Sequence, residues 1–358
     1  MVGLHSSDPS SVFLSARARV RGLTPERLEA ALYERRSLVR MIGMRRTLFV
    51  VPRDAVGPIE IACTRAIAAP SGARPCASIH PINRRRSRAA WLKPVRAATL
   101  RALRARGEAA AAELTTDVPE LAAKLRFGEG KRWAAEVGMS TRVLFLLAAE
   151  GAIVRARPRG SWISGQYRWA PIDSWLGEAP VSLSHAEASA ELLGRWLRRF
   201  GPATATDVRW WMGWTKRQMT TALDELEVAE VATEAGGTAF VLADDVRAVR
   251  RPAAWVALLP GLDATTMGWK ERDWYLGEHG AALFDTNGNA GPTVWANGRV
   301  IGGWTQRTNG DIRVELLERV DRSTERLVRE HREALRRWLG DVRFTPRFRT
   351  PLERTLAG

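Results

Sequence analysis

One eight-residue pattern is echoed later in the chain. Gly107-Glu-Ala-Ala-Ala-Ala-Glu113-Leu114 is echoed by Gly201-Pro-Ala-Thr-Ala-Thr-Asp207-Val208, and a recurring segment in a recurring context requires that one supersecondary unit be built more than once. Each copy follows an amphipathic stretch, Trp91 to Arg106 or Ala188 to Phe200. Each precedes a second helical run, Thr141 to Gly151 or Thr215 to Glu227, whose apolar residues (Val143, Leu146, Leu147; Met219, Ala222, Leu223, Leu226) recur at helical spacing. β-rich segments close both copies: Ala152 to Arg155 and Gln166 to Trp169 around a turn-prone loop, then Val228 to Thr233 and Ala239 to Leu242 around Gly236-Gly237. Three helices followed by a two-stranded wing describe a winged helix.

A partial third copy stands at the front. Pro25 to Tyr33 reads as a helix capped by Thr24, and Met44-Arg-Arg-Thr-Leu-Phe-Val-Val51 reads as a strand running into Pro52. An opening helix is missing from this copy, so the chain as given is expected to start inside the first module. Beyond Arg251 the pattern changes. Ala253 to Leu259 is a buried-strand run, and Thr293 to Trp304 is a hairpin around Asn297-Gly298. A long helix with Val320, Thr324, Leu327, His331, Leu335 and Trp338 on one face precedes a last strand at Val342 to Phe344. The expected fold class is therefore α+β: tandem winged-helix modules (three, the first truncated) with a C-terminal β-rich α+β domain. The boundaries read as 1–58, 70–176, 182–248 and 252–358.

A net charge of +16 favours a polyanionic partner. Only five of the 55 basic residues are lysines, so the excess is carried by arginine. A GC-rich genome produces the same bias through its codons, which makes the placement of the arginines more telling than their number. Cys63 and Cys76 build neither a disulfide framework nor a zinc pattern with five scattered histidines. No window approaches the roughly 18 apolar residues of a membrane span, and no signal-peptide pattern opens the chain. The expected compartment is a reducing cytoplasm.

Candidate DNA contacts follow from this placement. Arg155, Arg157, Arg159 and Arg168 surround Trp162, Tyr167 and Trp169 on the first wing, where alternation along a strand leaves one face wet. Arginine there can hold phosphate, and the rings can stack on an unpaired base. Lys216 and Arg217 open the second-helix run of the later copy, and Arg45 and Arg46 lie in the N-terminal strand. The run Asn83-Arg-Arg-Arg-Ser-Arg88 reads more simply as a solvated loop.

His5-Ser6-Ser7-Asp8-Pro9 offers a second kind of site. Asp8 before Pro9 is accounted for as a helix N-cap with proline at the first position. The same polar cluster can also hold a water for attack at a sugar carbon, with His5 as base and Ser7 as hydrogen-bond partner. Asp263, just beyond a buried strand, is open between capping and function, whereas the Asn287-Gly-Asn289 cluster reads as turn chemistry.

Taken together, Gly3-Leu-His-Ser-Ser-Asp8-Pro9, Ala31 to Arg40, Met44 to Leu48, the Gly201 module and Asn287 to Val294 resemble the actinobacterial winged helix DNA-binding domain proteins, relatives of the AlkZ/YcaQ-type DNA glycosylases. The resemblance implies three tandem winged helices in a C-shaped arrangement plus a β-rich C-terminal domain. In the glycosylase branch it also implies excision of N-alkylated or crosslinked purines. The expected partner is double-stranded DNA, met by a monomer in the cytoplasm at the nucleoid, with no cofactor or metal. Those enzymes carry Gln, any residue, then Gln or Asp where this chain has His5-Ser6-Ser7, and Asp8-Pro9 matches the following Asp-Pro of one branch. His5, Ser7 and Asp8 are thus the candidate catalytic residues. A non-catalytic DNA-binding transcriptional regulator is the alternative, and a winged-helix module for protein contacts is a third reading.

Overall fold

The computed structural model describes residues 1–68, 88–127, 135–177, 183–234 and 236–358. It is a mixed α+β chain with several small antiparallel sheets. Two compact units emerge, one formed by Ala30–Leu192 and the other by Met1–Glu29 together with Leu193–Gly358.

Within Ala30–Leu192, Leu38–Ile42 pairs antiparallel with Leu48–Pro52, Val39 opposite Val51. This corrects the expected strand Met44–Val51. Residues 44–46 form a 3-10 turn, Gly43 N donating to Thr47 O at 2.8 Å, and the strand begins only at Leu48. Arg45 and Arg46 occupy the left-handed region at φ 51° and 63°, a conformation L-residues rarely adopt outside tight turns. A helical run unforeseen from the sequence continues from Val56 past residue 58, with one turn of π geometry at Glu60–Thr64. The helices Arg88–Arg106, Ala111–Asp117 and Met139–Ala149 then enclose a core of Leu103, Leu114, Val143, Leu146 and Leu147. Ile153–Pro158 pairs with Tyr167–Pro171, so the first strand outruns the expected Ala152–Arg155. A further hairpin, Lys124–Phe127 with Ala135–Gly138, was not anticipated.

The repeated segment turns out to be a helix-entry device. Glu113 Oε2 accepts from Ala110 N at 2.6 Å, and Asp207 Oδ2 accepts from Thr204 N at 3.1 Å while Thr204 Oγ1 accepts from Asp207 N. The acid at the same place in each copy therefore occupies the third helical position and returns a hydrogen bond to the cap residue. Asp207 does more than its counterpart: its Oδ1 accepts from the amides of Lys270 and Glu271 at 2.7 and 2.9 Å.

In the other unit, Trp196 stacks on Phe200 at 5.5 Å and tilts against Trp211 at 5.7 Å. Nearby lies a three-stranded sheet of Ala203–Thr204, Thr238–Leu242 and Val228–Ala232, in that order. A four-stranded antiparallel sheet follows: Val256–Leu259, Thr293–Ala296, Arg299–Gln306 and Ile312–Leu316. Its central hairpin turns at Asn297-Gly298, both with positive φ (50° and 91°), as the Asn-Gly pair predicts. The long helix runs Arg322–Leu339, capped by Asp321, and buries Thr324, Val328, Leu335 and Leu339. The expected strand at Val342–Phe344 is absent. The Gln306 side chain instead donates to Val342 O at 2.9 Å and accepts from Phe344 N at 3.0 Å, so a side-chain amide takes the backbone bonds a neighbouring strand would supply. A short helix, Pro351–Ala357, closes the chain.

Candidate functional site

The turn at the N-terminus is built by a short strand, Leu4–His5, and the helix Pro9–Arg17. That helix has the buried residues Val12, Phe13 and Leu14 at its middle, so its entry cannot drift without disturbing the core. Asp8 is the N-cap and Pro9 the first residue, as expected. Its carboxylate is heavily used: Oδ1 accepts from Ser10 N at 3.0 Å and Ser10 Oγ at 2.7 Å, and Oδ2 accepts from Arg347 N at 2.9 Å. The Arg347 guanidinium also donates to Ser7 O at 3.3 Å. His5 is 8% exposed and Ser6 1%, while Ser7 is half-buried; Ser7 N lies 3.5 Å from His5 Nδ1, a long contact. The turn thus brings His5, Ser7 and Asp8 together, with Asp8 engaged by three donors.

A polar stripe missed in the sequence fixes the rest of the helix. Ser11, Ser15 and Arg19 fall four residues apart and share one face. Ser11 Oγ donates to Gly261 O and Ser15 Oγ to Asp263 Oδ2, both at 2.6 Å. Arg19 grips Asp263 with two nitrogens, at 2.8 and 2.6 Å. Asp263, fully buried, also accepts from Thr265 N. Its question is answered structurally: it anchors the helix that carries the turn. The i, i+4 spacing of polar residues in an otherwise apolar helix was the available signal.

The expected DNA contacts divide into two groups. Lys216 and Arg217 are exposed on the first turn of Lys216–Asp224, whose entry is held by reciprocal hydrogen bonds between Thr215 and Gln218. The wing arginines are more occupied than expected. Arg155 lies over the Tyr167 and Trp169 rings, Arg157 over Tyr33 and 3.3 Å from Glu34, Arg159 3.6 Å from Glu113, and Arg168 3.6 Å from Glu108. The expectation of base stacking by the wing aromatics is corrected, because Trp162, Tyr167 and Trp169 are buried and Arg155 covers two of them. Arg45 and Arg46 are half-buried, with Arg46 over the Phe145 ring. The Asn83–Arg88 run lies, apart from the backbone of Arg88, outside the described residues, as does Cys76; Cys63 is buried.

The family model described as DNA glycosylase AlkZ-like matches residues 1–339. The chain belongs to the AlkZ-like DNA glycosylase family. Among solved structures, the Streptomyces sahachiroi DNA glycosylase AlkZ superposes with a TM-score of 0.71 at 22% identity, covering 96% of this chain and 90% of that one, and so shares its fold. A comparison with curated proteins finds no match. For an AlkZ-like chain the turn lies well inside the matched region, whereas Arg347, which ties it down, lies beyond residue 339. Among the described residues no three His, Cys, Asp or Glu side chains are grouped so as to hold a metal ion, and no helix is long and apolar enough to cross a membrane.

Proposed function

We propose that this AlkZ-like protein is a monofunctional DNA N-glycosylase that releases N-alkylated or crosslinked purines from double-stranded DNA, with the His5-Ser6-Ser7 turn at its reacting centre. The family match over residues 1–339 carries this reading. It does not favour the non-catalytic regulator. Three helices closed by a strand pair recur in 88–171, where a further strand pair precedes the third helix, and in 185–242; this supports tandem winged helices as the DNA-holding frame, with Lys216 and Arg217 at a helix start and the 153–171 wing beside the backbone. Exposed ion pairs such as Arg159 with Glu113 are screened by water and weak, so a phosphate can displace the carboxylate.

The chemistry asks little of the protein. An N-alkylated purine carries positive charge, and the electron pair of the breaking glycosidic bond neutralises it as the base departs. Water oxygen bonds to the sugar carbon, and its proton passes to an acceptor. In this reading His5 is that acceptor and orients the water, Ser7 supplies a hydroxyl that both donates and accepts, and Asp8 is a positioning residue, since its oxygens are already taken by Ser10 and Arg347. The test is incubation of the purified protein with duplexes containing N7-alkylguanine or N3-alkyladenine. Free base in the supernatant and an abasic site in the DNA are expected; tight duplex binding with no base released from either would leave the regulator.

A further inference from the structure

A groove of about 730 Å³ opens where the Pro9–Arg17 helix ends, between residues 17–23, the strand Val256–Leu259 and the long helix Arg322–Leu339. Its wall is aromatic and its rim basic. Trp338 donates Nε1–H to Leu23 O at 2.7 Å, and the Arg17 guanidinium lies 5.8 Å from the Trp338 ring centre. Arg21 and Arg337 are exposed at the rim. Glu330 is the one acid lining it, and that carboxylate faces Arg326 at 3.8 Å.

Three of these cations differ from the arginines that are neutralised in place. Arg19, Arg104, Arg106, Arg157, Arg159, Arg168, Arg198 and Arg349 each sit against a carboxylate. Among the described residues, Arg17, Arg21 and Arg337 have no carboxylate within ion-pairing distance. Burial lowers the pKa of Arg17, the mark of a charge partly stripped of water without an anion in return. His331, in the same wall, is lowered first by burial and then by Arg17.

We infer that this groove is a second DNA site, taking the phosphodiester backbone of the duplex that flanks the lesion on Arg17, Arg21 and Arg337. The inference rests on the DNA reading above and extends it. One helix joins the two places: the candidate turn sits at its start and the groove at its end. Its nine residues span about 14 Å at 1.5 Å each, or about four nucleotide steps of 3.4 Å along a strand. That separation is within the reach of a single duplex. Guanidinium groups suit this ligand because their planar donors match phosphate oxygens.

The test measures binding of the full-length chain to unmodified duplex DNA as a function of salt. Losing one phosphate contact per arginine makes the log–log slope of Arg17→Gln/Arg21→Gln/Arg337→Gln shallower than wild type by about 3. Arg17 packs on Trp338, so Arg21→Gln/Arg337→Gln serves as a variant that leaves that packing intact, with a slope shallower by about 2 expected. Arg322→Gln/Arg329→Gln, exposed on the same long helix but not lining the groove, removes the same charge and should leave the slope unchanged. An unchanged slope in the groove double variant, or an equal loss in the control, overturns the assignment while the glycosylase reading stands. Competition by an acidic peptide but not by DNA at Arg21 and Arg337 would also overturn it. Failure of the wild-type chain to bind duplex at all overturns both readings together.

Discussion

The main-chain amide of Arg347 donates to the Asp8 carboxylate at 2.9 Å across 339 positions of sequence, and its side chain reaches back to Ser7 O. The carboxylate that starts the first helix is thus shared between a local cap and a segment from the other end of the chain. Such a junction fixes the candidate turn from two sides. It also explains why a residue beyond the family-matched region bears on the site.

Asp8 should therefore matter more for stability than an isolated cap does. A lost Asp cap costs about 0.5–2 kcal/mol, and Asp8→Ala in addition leaves Ser10 Oγ and the Arg347 amide without their acceptor. A loss at or above the top of that range is expected in chemical denaturation. Arg347→Pro removes the donated N–H together with the guanidinium bond to Ser7 O, and Arg347→Ala removes the guanidinium bond alone; equal melting temperatures for the two variants would show that the Arg347 amide bond contributes nothing.

His5 separates enzyme from binder. With His5 as proton acceptor, His5→Ala abolishes release of an alkylated base while duplex affinity stays within about twofold, because in this reading His5 holds the attacking water and not a phosphate. His5→Gln with Ser7→Gln, which restores the residues of the resembled glycosylases, should raise base release. Both are read by chromatography of freed base alongside fluorescence anisotropy on the same DNA. A silent His5→Ala in an active protein would assign the turn to capping alone.

Arg19 and Asp263 form a test of buried charge. Arg19→Met strands a fully buried carboxylate and should cost about 3 kcal/mol, the low end for breaking a buried pair because the Arg19 side chain is a quarter exposed. Combining it with Asp263→Asn removes the stranded charge, keeps an acceptor oxygen for Thr265 N and places an amide NH2 where the Ser15 hydroxyl can accept from it. The double variant should therefore be more stable than Arg19→Met alone in urea titration. The opposite order would mean that the charge is compensated elsewhere.

Acid should weaken the fold through His331. Burial, then Arg17, holds its imidazole pKa below the ordinary value, against a smaller upward pull from Glu330. The folded protein thus keeps His331 neutral where the unfolded chain takes up a proton, below about pH 6.5. Stability contributed by the neutral form is present above that pH and falls as acid is added. His331→Gln should flatten the dependence of the urea midpoint between about pH 7.5 and 5.5, the window set by that ordinary value. An unaltered dependence would place the proton uptake on other groups.

Local chemistry made much of the chain legible in sequence. The Glu113 and Asp207 echo, Asp8-Pro9 and Asn297-Gly298 each specify a backbone geometry through atoms a few residues away, so the helix starts and the hairpin were readable without a partner segment. The strand misread at Met44 and the one expected at Val342 failed for a shared reason: β-propensity says that a segment suits an extended state, not which neighbour will take its hydrogen bonds. Pairing with Leu38–Ile42 moved the first, and the Gln306 side chain replaced the second.

Sequence by itself determined the mixed α+β class, the repeated helical units, the basic character and the cap that opens the first helix, because each depends on composition or on neighbours within a turn or two. Tertiary structure alone decided that Asp263 holds Ser15 and Arg19, that Arg347 ties Asp8 from the far end, and that the wing arginines lie on buried rings beside carboxylates. It also decided that Arg17, Arg21 and Arg337 meet around one groove. These are contacts across up to 339 positions, and the same side chain is a cap, an ion pair or a ligand site according to which atoms the packed core brings within about 3 Å of it.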